Sequence, residues 1–104
     1  MSIRSYMTVA SIDQIIKTTS AFRLLSDPTR CKMILLLSKR KDGMCVYEIA
    51  EAIGISHSAI SHQLAKLEMK EIVAPIRQGK EICYQLNGTS FVRNILHVMK
   101  IFNP

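Results

Sequence analysis

The stretch VYEIAEAIGISHSAISHQLAKL, residues 46–67, constrains the fold more than any other part of the chain, because it describes two short helices joined by one tight turn. Ile49, Ile53, Ile55, Ile60, Leu64 and Leu67 keep helical spacing on both sides of Gly54. Ala50, four residues before that glycine, is small enough for the second helix to approach the first closely. Gly54 supplies the left-handed backbone that ends the first helix without a Cβ clash. Ser56 is then a natural N-cap for the second. A helix-turn-helix uses this geometry to push its second helix into a DNA major groove. An ordinary helical hairpin shares it, and the flanking sequence decides between the two.

Immediately beyond, EIVAPIR (71–77) carries Ile72, Val73 and Ile76, and KEICYQL (80–86) carries Ile82, Tyr84 and Leu86 in strict alternation. With Gln78-Gly79 between them, they predict a β-hairpin over 72–86. Pro75 consigns the first strand to an edge or a bulge. A helix-turn-helix followed at once by a two-stranded ribbon is a winged helix.

Upstream, Ser11–Leu25 reads as a helix whose apolar surface holds Ile12, Ile15, Ile16, Ala21, Phe22 and Leu25. Ser26-Asp27-Pro28 starts a second helix, with proline at its first position, and this helix ends near Lys39. The third helix is expected over Cys45–Ala52 and the fourth over Ser56–Met69. After the wing, Thr89 or Ser90 caps a last helix with a stripe of Phe91, Val92, Ile95, Leu96, Met99 and Phe102. The fold class is therefore mainly α with a small β-hairpin: a winged helix-turn-helix, ordered α-α-α-α-β-β-α, as one domain over residues 1–104. Helices 11–25 and 89–102 are expected to pair with those of a second copy, 45–69 to form the helix-turn-helix and 72–86 the wing. Such a homodimer presents two reading heads to a pseudo-palindromic site in double-stranded DNA, with half-site centres about 34–36 Å apart or a multiple of it.

Composition narrows the partners. The net charge of +6 favours an anionic partner, nucleic acid first. Its distribution is uneven: residues 56–86 set Lys66, Lys70, Arg77 and Lys80 against Glu68, Glu71 and Glu81, a balance of only +1. The densest basic run, Lys39-Arg40-Lys41, reads as a solvated helix end, where cations suit the dipole. The longest apolar run is Met33 to Leu37, far short of the ~18 residues of a membrane span. The first ten residues show no apolar leader core, so a cytoplasmic location without membrane attachment is expected. Cys31, Cys45 and Cys83 are widely spaced and odd in number, which fits neither a disulfide framework nor a zinc pattern and favours reduced thiols. Cys31 and Cys83 read as small core residues, and Cys45, at a helix N-terminus, as a possible thiol sensor. No phosphate-binding glycine loop, nucleophile elbow or helical histidine pair is present, so neither an enzyme nor a cofactor is expected.

Four segments together resemble the ArsR/SmtB family of bacterial winged-helix repressors. FRLLSDPTRCKMILLL (22–37) is similar to the family's entry to its second helix, MCVYEIAEAIGIS (44–56) to its third, SHSAISHQLAKLEMKEIV (56–73) to its reading helix and RQGKEICYQL (77–86) to its wing. The resemblance implies a homodimeric transcriptional repressor that leaves its operator when an inducer binds, often a metal ion or a redox signal. One family metal site uses a cysteine–valine–cysteine run, but here Tyr47 follows Cys45-Val46. The other uses carboxylates and histidines on the last helix, where NGTSFVRNILHVMK offers His97 and no acid. His57 and His62 lie about 140° apart around a helix and do not make a metal pair either. No metal is expected.

The DNA-contact candidates follow from the helix capped by Ser56. Its exposed face near the N-terminus holds His57, Ser58, Ser61 and His62, whose hydroxyls and imidazoles can read base edges or phosphates, while Ile60 and Leu64 turn inward. Gln63 and Lys66 extend the contact along the groove, and Arg77 and Lys80 beside the wing turn reach phosphates or the adjacent minor groove. The alternative is a winged-helix protein-interaction module that regulates without reading an operator.

Overall fold

The computed structural model describes residues 7–103. Residues 1–6 and 104 lie outside the described residues, and with them most of the segment read above for a leader.

Helix α1 spans Val9–Leu25 and opens two residues earlier than the spacing predicts, because Thr8 Oγ1 accepts the Ser11 N–H at 3.0 Å. Leu24 is its buried anchor, a residue the apolar pattern passed over. Ile12, Ile15, Ile16 and Phe22 stay 47–57% exposed, whereas Ala21 and Leu25 pack against the core, so most of the predicted apolar surface faces away from it. Helix α2, Pro28–Ser38, starts as expected: Asp27 accepts the Thr29 N–H at 3.2 Å and proline takes the first turn. Arg30 fixes the α1–α2 corner by donating to the Leu24 carbonyl at 3.1 Å and the Arg23 carbonyl at 2.9 Å.

A two-residue strand β1, Met44–Cys45, precedes α3, Val46–Ile53, and is too short to show alternation in the sequence. It moves the start of α3 one residue past the predicted Cys45, which becomes its N-cap. Gly54, at φ 83°, ends α3 with its N–H on the Ala50 carbonyl at 2.8 Å. Helix α4, His57–Met69, is capped by Ser56 Oγ on the Ala59 N–H at 3.2 Å. Strands β2, Val73–Gln78, and β3, Glu81–Leu86, form the ribbon, and α5, Ser90–Ile101, follows Thr89 as its cap. The sheet has three strands in the order β1-β3-β2, all antiparallel, not the two foreseen. Pro75 lies in the edge strand β2, where a missing N–H costs no ladder bond.

The core gathers Met33 and Ile34 of α2, Ile49 of α3, Ile60, Leu64 and Leu67 of α4 and Ile72 and Val73 at the wing's base, all nearly or fully buried. Each such side chain contributes about 1.5–3 kcal/mol of burial, which holds α4 by its inner face. The α5 stripe divides: Val92 and Ile95 are buried in the chain's own core, whereas Ile101 and Phe102 are 65% and 78% exposed. In β3 the expected inward set also shifts. Cys83 is fully buried and Ile82 is 44% exposed, because the outer end of the ribbon runs beyond the helices and both its faces meet solvent.

The cysteine reading needs correction. Cys45 and Cys83 are cross-strand partners of β1 and β3, and the structure brings their sulfurs within bonding reach. Thirty-eight residues separate them, and the unforeseen strand β1 brings them together, so spacing alone showed only unpaired reduced thiols. Cys31 remains a free thiol, half-buried, with Sγ donating to the Leu25 carbonyl at 3.2 Å.

Candidate nucleic-acid interface

Helix α4 divides by exposure as its sequence requires. Ile60, Leu64 and Leu67 are fully buried, and His57, Ser58, Ser61, His62 and Lys66 are exposed. At about 100° per residue those five side chains cover an arc of about 180°, and the buried three fall within the other half of the helix. Ser58 Oγ lies 3.3 Å from the capping Ser56 Oγ, which places two hydroxyls beside the free N–H groups of the first turn. The face therefore offers hydroxyl, imidazole and ammonium groups and an anion-favouring helix end.

Gln63 does not belong to this face. It sits three residues after Ile60 and four before Leu67, at the margin of the buried stripe, and its Oε1 is buried without a hydrogen-bond partner among the described residues. Its predicted place along the groove is thus not where the helix puts it.

The wing stands beside α4. Arg77 on β2 and Lys80 in the two-residue turn after Gln78 are exposed, as expected. Burial, with the Glu68 carboxylate adding to it, raises the Tyr84 phenol above its ordinary pKa, so this β3 side chain stays neutral where α4 meets the ribbon. Behind α3, Glu48 Oε1 accepts the Cys45 N–H at 3.0 Å and Glu48 Oε2 pairs with Arg40 Nη1 at 3.4 Å.

Sequence reasoning missed how the α2–β1 turn is held. Gln78 Nε2 donates to the Asp42 carbonyl at 3.1 Å, tying that turn to the wing. Gly43 takes φ 91°, and a Cβ there would lie 2.8 Å from the Tyr84 carbonyl oxygen and 2.9 Å from Ile76 Cδ1. Asp-Gly is a local turn signal, but its contact with the ribbon has no local signature. Tyr47 and His97, the residues weighed against the two family metal sites, are both exposed. Among the described residues no group of three or more His, Cys, Asp or Glu is placed to hold a metal ion, and no helix is long and apolar enough to cross a membrane.

Two helices joined at a left-handed glycine, a polar outer face on the second and an antiparallel ribbon beside it define a winged helix-turn-helix, a class of DNA-binding domain. Residues 27–74 match the family model described as bacterial regulatory protein, arsR family. The chain is 32% identical over 94 residues to the transcriptional repressor SmtB homolog of Synechocystis sp., covering 90% of this chain and 64% of that protein, a little under two thirds of its length. It is 36% identical to the transcriptional repressor SdpR of Bacillus subtilis, over 81% of this chain and 91% of that one. The crystal structure of the transcriptional repressor BigR from Xylella fastidiosa superposes with a TM-score of 0.75 at 26% identity, covering 86% of this chain and 87% of the other. The chain belongs to the arsR family of bacterial regulatory proteins, and it is a DNA-binding transcriptional regulator.

Proposed function

We propose that this chain is a homodimeric repressor that occupies a pseudo-palindromic operator and is released by a thiol signal. The observation that carries the reading is the exposed face of His57, Ser58, Ser61 and His62 at the N-terminal end of a helix whose other side is locked into the core. These four groups read base edges or phosphates, Lys66 follows the backbone, and Arg77 and Lys80 take phosphates beside the minor groove. Occupancy blocks polymerase or an activator.

Two observations support the dimer. Phe22 and Leu25 of α1 line a half-open cavity of about 330 Å³ with Phe91 and Ile95 of α5, and Ile12, Ile15 and Ile16 are exposed further along α1. The radius of gyration, 16.2 Å, exceeds the roughly 13 Å of a compact chain of this length, as an arm that packs on a second copy would require. A second copy of the α1 and α5 surface fills the cavity and sets two reading heads on one face of the duplex.

The signal acts through Cys45 with its partner Cys83, not through Cys45 alone. Closing the bond takes two electrons and two protons from the thiols to an oxidant such as a peroxide or a low-molecular-weight disulfide. The bond staples the α3 N-cap to the wing strand, so its state biases the angle between wing and reading helix. A change of angle repeated in both copies shifts the heads out of register with the grooves.

Fluorescence anisotropy against the DNA upstream of its own gene, in the cytoplasm-like reduced state and after oxidation, tests the reading. Sequence-selective binding that weakens with salt and differs between the two redox states is the expected result. Equal affinity in both states and in Cys45→Ser removes the thiol signal. Binding no tighter than to a random duplex replaces the repressor by the protein-interaction module.

A further inference from the structure

We infer that Lys39 and Lys41, in the turn between α2 and β1, form with the wing a phosphate-binding surface that grips the duplex beyond the bases α4 reads. This rests on the DNA-binding reading above and adds a contact outside the helix-turn-helix. The turn is not a loose helix end. The Gln78–Asp42 hydrogen bond at 3.1 Å and the close packing of Gly43 on Tyr84 and Ile76 fix it against the ribbon. Its charges are sorted as well. Arg40 pairs within the chain, with Asp42 at 3.5 Å and Glu48 at 3.4 Å, and so offsets one of these two acidic charges. Lys39 and Lys41 are exposed and form no ion pair among the described residues, and the same holds for Arg77 and Lys80 of the wing.

The electrostatic balance gives the surface its partner. Residues 56–86, which hold α4 and the wing, carry a net charge of only +1, little for a segment that must neutralise phosphates. Lys39 and Lys41 supply two further unpaired cations among the described residues, and their turn is held to the wing by its own hydrogen bond. A polyanion of regular charge spacing, the sugar-phosphate backbone flanking the half-site, suits two lysines on a fixed turn. Lysine meets phosphate as a point charge and needs no base geometry.

The test is the salt dependence of Lys39→Gln/Lys41→Gln in the full chain, measured by anisotropy on the DNA upstream of its own gene and on a random duplex of equal length. Both positions are exposed, so the fold is kept, and circular dichroism checks it. Each lost phosphate contact lowers the slope of log affinity against log salt by about 0.9, so the double variant, which removes four lysines from the homodimer, should lose about 3.6. Between about 50 and 200 mM salt it then sheds roughly a hundredfold less affinity than the parent. The loss should be equal on both duplexes and should vanish on DNA trimmed at the edge of the half-site. An unchanged slope, in a variant whose parent binds DNA, overturns the inference and leaves the repressor reading standing. A parent that binds neither duplex at low salt overturns both.

Discussion

Gly43 and Glu71 both hold a left-handed backbone, at φ 91° and 60°, for different reasons. At Gly43 the missing Cβ is the point, since the Tyr84 carbonyl and the Ile76 side chain occupy its place. Gly43→Ala should therefore destabilise the fold by about 2–3 kcal/mol, from backbone strain and a contact with main chain that cannot yield. Glu71 follows the C-cap of α4 and is exposed, with its carbonyl accepting from Asn87 Nδ2 at 2.7 Å. Its side chain makes no hydrogen bond or ion pair among the described residues that repays the left-handed cost, so Glu71→Gly should gain up to about 1 kcal/mol. Urea denaturation of the two variants beside the parent reads both signs. That this position must be glycine follows from the ribbon folding back onto it.

At the scale of elements, α4 is a rigid bar with one face in the core and the other outward. On the proposed reading, substitutions on the outer face leave its packing intact and change recognition alone. Ser58→Ala and His62→Ala should each lose about 1–3 kcal/mol of discrimination between operator and random DNA while the dimer persists. A gel shift paired with analytical ultracentrifugation reads both, and parental selectivity in both variants would remove these residues from the reading face. The element boundaries of α2, α4 and α5 were legible because caps and prolines mark them: Asp27-Pro28, Ser56 and Thr89 all act as expected. Strand β1 was not, since two residues carry no periodicity. Gln63 departs for another reason: spacing leaves it at the margin of the apolar stripe, and its inward tilt depends on which side of Ile60 and Leu67 the core closes.

For the whole molecule, the deciding surface is the one the chain does not cover by itself. The α1 and α5 patterns looked alike in sequence, yet α5 gives Val92 and Ile95 to its own core and α1 gives only Leu24. Ile15→Glu or Phe22→Glu should weaken self-association by about ten- to hundredfold, the equivalent of losing one buried side chain, about 1.5–3 kcal/mol. Operator affinity should fall with it, since two linked heads bind far better than one. Sedimentation velocity at micromolar protein reads the first effect and anisotropy the second. An unshifted dimer would assign the interface to another surface.

By itself the sequence determined the order of the five helices, the helix-turn-helix and the two wing strands, because helical and two-residue periodicities, caps and turn residues act over a few neighbouring positions. Only the tertiary structure decided that Cys45 meets Cys83, that the α2–β1 turn docks on the ribbon and that α1 keeps its apolar side outward. Each of these joins residues far apart in the chain or depends on which surfaces remain after the core has closed, and local patterns do not encode that.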